Sequence, residues 1–438
     1  MQTTSLYPRY AEKPLTEALS DSPAVLVHGP RQCGKTTLAR LVGDSLGYDY
    51  ISFDDDVART AAAADPAGFV AGLPERSILD EVQRVPSLFT ALKQEIDRRR
   101  VPGRFLLTGS SQVLLLPSLS DSLAGRMEVL RLHPLSQNEI HGGVPNFLDD
   151  LFRGRFQTAS TNRLGDDLAE RIVAGGYPAA LERPTARRRA NWYRNFVETQ
   201  LQRDARDMSR ISALDALPRL LSAAASQTAR LYNLSDLAAP FQLSRPTIGG
   251  YVELLERLFL VERLPPWHSN RLNRLVKTPK LHIGDTGLGC ALLGTGPPAL
   301  AQDRTFFGQL LETFVFQELK RQSICQEQPL SFFHYRDKDQ VEVDVVIERG
   351  ALAVAGVEVK ASATVTTSDF RGLHKLKKTT GDRFASGVVL YDGEIASSFG
   401  DGMFAVPIRS LCEGRAVGLG SFVLSLSQKS GCRLGCRL

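Results

Sequence analysis

The segment that most restricts what this chain can become is Gly29-Pro30-Arg31-Gln32-Cys33-Gly34-Lys35-Thr36-Thr37. It follows the apolar run Ala24-Val25-Leu26-Val27-His28 and leads into the helix-like stretch Leu38–Leu46. The spacing GxxxxGK[ST], set between a strand and a helix, is a phosphate-binding loop. Its glycines let backbone N–H groups curl around phosphate oxygens, its lysine meets the β/γ charge, and its hydroxyl ligates Mg²⁺. Lys35 is therefore expected on the phosphates and Thr36 on the metal. A glycine-rich turn arising by chance would lack both flanking elements.

Such a loop needs a carboxylate at the end of a neighbouring strand. Ser77-Ile78-Leu79 runs into Asp80 and Glu81 after an intervening strand-and-turn, Ile51-Ser52-Phe53-Asp54-Asp55-Asp56. Asp80 is expected in the Mg²⁺ shell and Glu81 on the attacking water. The next apolar run, Phe105-Leu106-Leu107, ends in small hydroxyl residues, so Thr108 or Ser110 is expected to sense the terminal phosphate. Either can equally be part of a capped turn. Further on, Arg126 follows Gly125 and precedes an apolar run. It reads either as a finger reaching the nucleotide of a neighbouring subunit or as a structural partner of Glu128.

GPRQCGKTTLAR, ILDEVQ, FLLTGSS and SLAGRMEVLRLHPLS, in that order, resemble the bacterial and archaeal AAA-type P-loop ATPases that carry a C-terminal domain of unknown function related to PD-(D/E)xK nucleases. Cys33 stands where that family more usually has Val. The resemblance covers most of the chain and is tightest in the first two motifs. It implies an α/β AAA-like core, ATP and Mg²⁺ as ligands, and a homo-oligomer.

Net charge is +5, from 53 Lys+Arg against 48 Asp+Glu in 438 residues, too mild a bias to name a nucleic-acid partner. No apolar stretch is long enough to span a membrane and the first residues lack an apolar export core, so a cytoplasmic protein is expected. Six scattered cysteines read as reduced thiols rather than a disulfide framework. Cys432 and Cys436 sit in a tail with too few neighbouring ligands for a metal.

Between 214 and 283 the pattern is a compact helical set. Ser244 caps a helix with Pro246 in its first turn and apolar Ile248, Tyr251, Val252, Leu255 and Leu258 at helical spacing. Two strand-like runs flanking the basic loop Trp267–Arg274 follow. This is the order of a winged helix-turn-helix, with Arg245, Thr247, Arg271 and Arg274 as DNA-contact candidates. Glu253 and Glu256 on the same helix weigh against that role, and such modules also serve as protein-interaction units.

Near the C-terminus, Glu312 lies on a largely apolar helix, and two alternating strands carry Asp344 and then Glu358 and Lys360. The carboxylates can converge on a second metal while the lysine orients water. The arrangement is similar to the PD-(D/E)xK nuclease core, with Val343 where that motif has Pro. The expected organisation is an ATPase domain with a helical lid over 1–210, a winged helix over 211–290, a restriction-endonuclease-like α/β domain over 300–412 and a flexible tail over 413–438. The expected activity is Mg²⁺-dependent ATP hydrolysis acting on nucleic acid, with DNA as the expected partner, through the winged-helix and nuclease-like domains. The alternatives are an ATP-controlled regulator or scaffold with an inactive nuclease-like domain, and a DNA translocase or branch-migration motor.

Overall fold

The computed structural model of the protein describes residues 6–110, 113, 123–208 (backbone only over 203–208), 216–241, 243–270, 274 and 278–414. The tail from 415 onward, with Cys432 and Cys436, lies outside the described residues, as does Arg271.

The first layer is a five-stranded parallel sheet of β1 (Ala24–His28), β2 (Asp49–Ser52), β3 (Ser77–Asp80), β4 (Phe105–Gly109) and β5 (Met127–Arg131), in the order β2-β3-β4-β1-β5. β1, β3 and β4 are buried along their whole length, which is why they read as unbroken apolar runs rather than alternating ones. Leu26, Leu79 and Leu107 face one core, and Val25, Val27, Ile78 and Leu106 face the other. Because β4 lies between β1 and β3, the loop after β1 and the end of β3 stand about 10 Å apart, two strand spacings.

The expected helical lid is divided between two other bodies. Phe147, Leu148, Leu151, Leu168 and Ile172 pack into the C-terminal core, and β6 (Ala159–Ser160) adds to the edge of the C-terminal sheet. The long helix Ala186–Met208 instead contributes Tyr193, Phe196, Val197 and Leu201 to the core of the middle module. The apolar faces over 147–201 thus pack outside the parallel-sheet layer, because they are complementary to surfaces made much later in the chain.

The middle module alternates helices Ala216–Ser226, Leu234–Ala238 and Arg245–Arg257 with β7 (Arg230–Leu231), β8 (Val261–Leu264) and β9 (Lys280–Ile283). These strands form an antiparallel sheet ordered β7-β9-β8.

The C-terminal sheet adds β10 (Leu330–Arg336), β11 (Glu342–Arg349), β12 (Ala353–Lys360), β13 (Phe384–Tyr391), β14 (Ile395–Gly400) and β15 (Met403–Pro407), ordered β10-β11-β12-β13-β15-β14-β6. Helix Arg304–Gln322 covers one face through Val345, Ile347 and Val357, while Arg371–Thr380 covers the other through Val346, Val354 and Val389. The helix Ile408–Glu413 is anchored by buried Ile408, Leu411 and Cys412. Among the described residues no helix is long and apolar enough to cross a membrane.

Candidate functional site

At the C-terminal edge of the parallel sheet the chain turns from β1 into helix Lys35–Leu46. Gly34 caps that helix in the left-handed region at φ 99°, a conformation open to glycine at little cost. Gly29 is required for a different reason: a Cβ there would lie 2.1 Å from the Leu132 carbonyl oxygen. The Lys35 ammonium is buried and donates to the carbonyls of Gly29 (3.2 Å) and Pro30 (2.9 Å). Arg9 braces the loop from behind, donating to the Cys33 carbonyl at 2.7 Å and to Glu139 at 3.1 Å. Cys33 itself is fully buried against Leu132.

Asp80 is the point of convergence. The Thr36 hydroxyl donates to its Oδ1 at 2.9 Å, Tyr50 donates to its Oδ2 at 2.8 Å, and Thr108 from the intervening strand donates to its Oδ1. Glu81 has φ 58° and ψ 45°, an uncommon conformation for a residue with a side chain that turns it out of the strand. Its backbone N–H donates to the Thr108 hydroxyl at 3.2 Å, and its carboxylate accepts from the Gln83 amide, which also donates to Ser110 at 3.1 Å. The hydroxyl and carboxylate oxygens of Thr36 and Asp80 suit a hard cation such as Mg²⁺.

A cavity of about 160 Å³ lies beside Gly34 and Thr37, walled by Tyr7, Leu38, Leu41 and Pro178. On the other side, Arg31 and Gln32 line a cleft with Asn195, Thr199 and Gln200 of the long helix. Tyr50, Gln83 and Arg9 were not singled out from the sequence.

Arg126 is at the far end of the sheet. The register pairs Ala24 with Met127 and His28 with Arg131, so Arg126 lies about 16 Å of strand away from the loop. It pairs with Asp97 at 2.5 and 3.0 Å rather than with Glu128. Within its own chain it cannot meet the loop. Arg131, at the loop's own edge, is instead packed over Phe259 of the middle module at 5.0 Å.

His28, the last residue of β1, is buried beside Arg131 and Lys35. Burial first, and then those two cations, lower its pKa from 6.5 to about 4. The unfolded chain therefore takes up this proton first. The contribution to stability is intact above pH 6.5 and is lost as pH falls towards 4. We expect urea midpoints measured from pH 7 to pH 4 to decline less steeply in His28→Gln than in the wild type. An unchanged slope would count against a neutral, buried imidazole.

In the middle module Arg245 is exposed at the start of its helix, where Ser244 caps the Thr247 backbone N–H at 3.3 Å. Glu253 and Glu256 are neutralised by Arg257 and Arg263. Arg274 is turned inward, with both terminal nitrogens on Glu348 at 2.7 and 2.9 Å. Its expected place in a basic outer loop is therefore corrected: a guanidinium fork with a carboxylate in reach forms a bidentate pair.

Glu312, Asp344, Glu358 and Lys360 do come together, but around a residue the sequence did not point to. Lys280 of β9 lies 2.6 Å from Glu312 and 3.3 Å from Asp344. Asp344 also accepts from the Val359 N–H at 3.0 Å, and Lys360 pairs with Glu358 at 2.9 Å. Burial, then repulsion from Asp344, pushes the Glu358 carboxyl up to about 8, and Glu312 is raised by the same two causes. For Lys280, burial opposes the charge, but Glu312 and Asp344 outweigh it and hold the ammonium protonated.

Three family models match parts of the chain: an AAA domain over residues 21–141, a domain of unknown function (DUF8612) over 165–299 and another (DUF4143) over 307–411. Uncharacterized proteins of Mycobacterium tuberculosis and Mycobacterium bovis are each 29% identical to it over 401 residues, 91% of this chain and 83% of theirs. Among solved structures, the Walker-type ATPase PABY2304 of Pyrococcus abyssi is similar over 66% of this chain and 96% of its own, with 16% identity and a TM-score of 0.42. The RuvB Holliday junction branch migration motor of Thermotoga maritima is similar over 59% of this chain and 90% of its own, with 20% identity and a TM-score of 0.26.

Proposed function

We propose that this chain, which carries an AAA-type P-loop ATPase domain at residues 21–141, hydrolyses Mg²⁺-bound ATP and uses the cycle to act on duplex DNA held by its middle module. The observation that carries the first half is the meeting of Thr36 with Asp80, flanked by Thr108 and Tyr50. Gly29 to Thr37 would wrap the phosphates. Lys35, held by its own loop's carbonyls, exchanges those acceptors for phosphate oxygens. Thr36 and Asp80 would hold Mg²⁺, which when bound neutralises charge on the transferring phosphoryl group. Tyr50 and Thr108 fix the Asp80 rotamer. Glu81, turned out of its strand, takes the proton of the attacking water, and Ser110 reaches it only through Gln83. The apolar cavity beside Thr37 is of a kind that takes a nucleobase. Arg126 completes the site, if at all, in a neighbouring copy of the chain.

The second half is supported by the order of the middle module, in which helix Arg245–Arg257 is followed by the hairpin β8–β9 in the manner of a winged helix. Arg245 and Thr247 at its exposed start are the contacts, together with Arg271 from the sequence. Phosphate release by the full chain with Mg²⁺, measured with and without duplex DNA, tests both halves. We expect hydrolysis that DNA accelerates. Arg245→Ala should lower the slope of log affinity for DNA against log salt by about one. Hydrolysis without any DNA response would instead favour the scaffold reading, which the inward turn of Arg274 onto Glu348 also supports.

A further inference from the structure

We infer that the Lys280 ammonium is the resident cation of the Glu312–Asp344–Glu358 cluster, standing where a nuclease-like domain would need a divalent metal. Two carboxylates that share a metal must each direct an oxygen at it, with the remaining positions left to water and substrate. Here the oxygen that Glu312 directs inward accepts from Lys280 at 2.6 Å, and Asp344 spends one oxygen on Lys280 and the other on the Val359 N–H. Lys360 takes Oε1 of Glu358, and Glu358 Oε2 is buried with no partner among the described residues. Among the described residues no group of three or more Asp, Glu, His or Cys side chains is arranged to hold a metal. The residues therefore do not fit the metal that the nuclease resemblance implies.

Lys280 is no loose side chain that drifted into the gap. Its backbone is paired on both sides, to Leu231 of β7 and Leu264 of β8, and its side chain is 5% exposed. Next to it, the Thr278 carbonyl is 3.1 Å from His334 Nε2 of β10, so the segment is also tied to the C-terminal sheet. The cluster already holds the lysine that a nuclease-like site would use on water, Lys360. Lys280 is a second one, delivered from a different module. One positive charge replaces two, and three carboxylates face two lysines, which matches the upward displacement of Glu312 and Glu358. The cluster thus fastens the middle module to the C-terminal domain through a buried ion pair, and cleavage of phosphodiester bonds is not its role.

The test is Mn²⁺ binding to the full-length chain without nucleotide, followed by electron paramagnetic resonance of the free ion, in wild type, D344N, K280Q and K280Q/D344N. We expect wild type and D344N to bind Mn²⁺ alike. K280Q should gain a site at least about a hundredfold tighter, since a unit charge a few ångströms from the ion is gone, and K280Q/D344N should lose it. A wild-type site that D344N abolishes overturns the inference, as does a folded K280Q that gains nothing. Should K280Q fail to fold, the wild-type and D344N arms still decide: equal binding upholds it and a D344N-sensitive site sinks it. These readouts do not depend on ATP hydrolysis, so failure here leaves the nucleotide reading untouched.

Discussion

Glu81→Gln is expected to slow ATP hydrolysis by about two to four orders of magnitude, the usual loss when a positioned general base is removed, while Mg²⁺–ATP still binds. The geometry explains why binding and chemistry should separate. The side chains that touch phosphate and metal in the proposed arrangement are Lys35, Thr36 and Asp80, and the Asp80 carboxylate is held by Thr36, Tyr50 and Thr108 without help from Glu81. Glu81 meets the network through its backbone N–H on Thr108 and its carboxylate on Gln83. Lys35→Ala should behave differently and weaken nucleotide binding itself, because it removes the one ammonium buried in the loop. Single-turnover hydrolysis and binding of labelled ATP, measured on both variants, give the answer. Wild-type turnover in Glu81→Gln would end the assignment of the base, and undiminished binding in Lys35→Ala would end that of the loop.

Asp285→Ala is expected to cost about 3 kcal/mol of stability, the low end of the range for breaking a buried ion pair, because Arg321 keeps a second carboxylate, Glu318, at 3.3 Å. Asp285 is fully buried and receives Arg321 at 3.0 Å, the Tyr193 hydroxyl at 2.9 Å and the Gly176 N–H at 2.9 Å. It also caps helix Thr286–Leu293 through the N–H groups of Gly287 and Leu288. Arg321 in turn donates to the Leu135 carbonyl at 2.9 Å, where the ATPase sheet hands over to the rest of the chain, and Glu318 accepts from the Gln137 N–H at 2.8 Å. Removing the carboxylate leaves the guanidinium with Glu318, at 3.3 Å, as its remaining carboxylate partner at the place where three bodies meet. Asp285→Asn, which keeps the cap and loses the charge, should fall between. Urea unfolding followed by Trp fluorescence checks both, and a loss below about 0.5 kcal/mol, the scale of an ordinary surface change, would show that the junction does not depend on this pair.

Those two sites were legible to different degrees. The loop, Asp80, Glu81 and the hydroxyl residues Thr108 and Ser110 could be placed at strand ends from the chain because each is a local event: a strand ends, and a residue of fixed chemistry follows within one or two positions. The sheet order that brings them together is not local, and Tyr50 and Gln83 entered the site only through it. Arg126 shows the converse. Its position after a glycine and before an apolar run suggested a finger, but the parallel register puts it at the wrong end of the strand for its own nucleotide.

The Gly175-Gly176 pair makes the same distinction at a single spot. In the sequence it reads as a break between helices. In the fold, a Cβ at 175 would lie 2.1 Å from Asp285 and one at 176 would lie 2.7 Å from Arg321, so the break is also the space into which that ion pair fits.

What the amino-acid sequence determined by itself is the phosphate loop, the acidic strand end and the alternating strands that carry Asp344 and Glu358, since these depend on spacing along the backbone and on periods of two or 3.6 residues. Only the tertiary structure decided where residues 147–208 pack and which cation the C-terminal carboxylates receive. Apolar faces and charges choose partners by complementarity across long stretches of chain. Nothing near Lys280 in sequence announces a carboxylate 32 or 64 positions away.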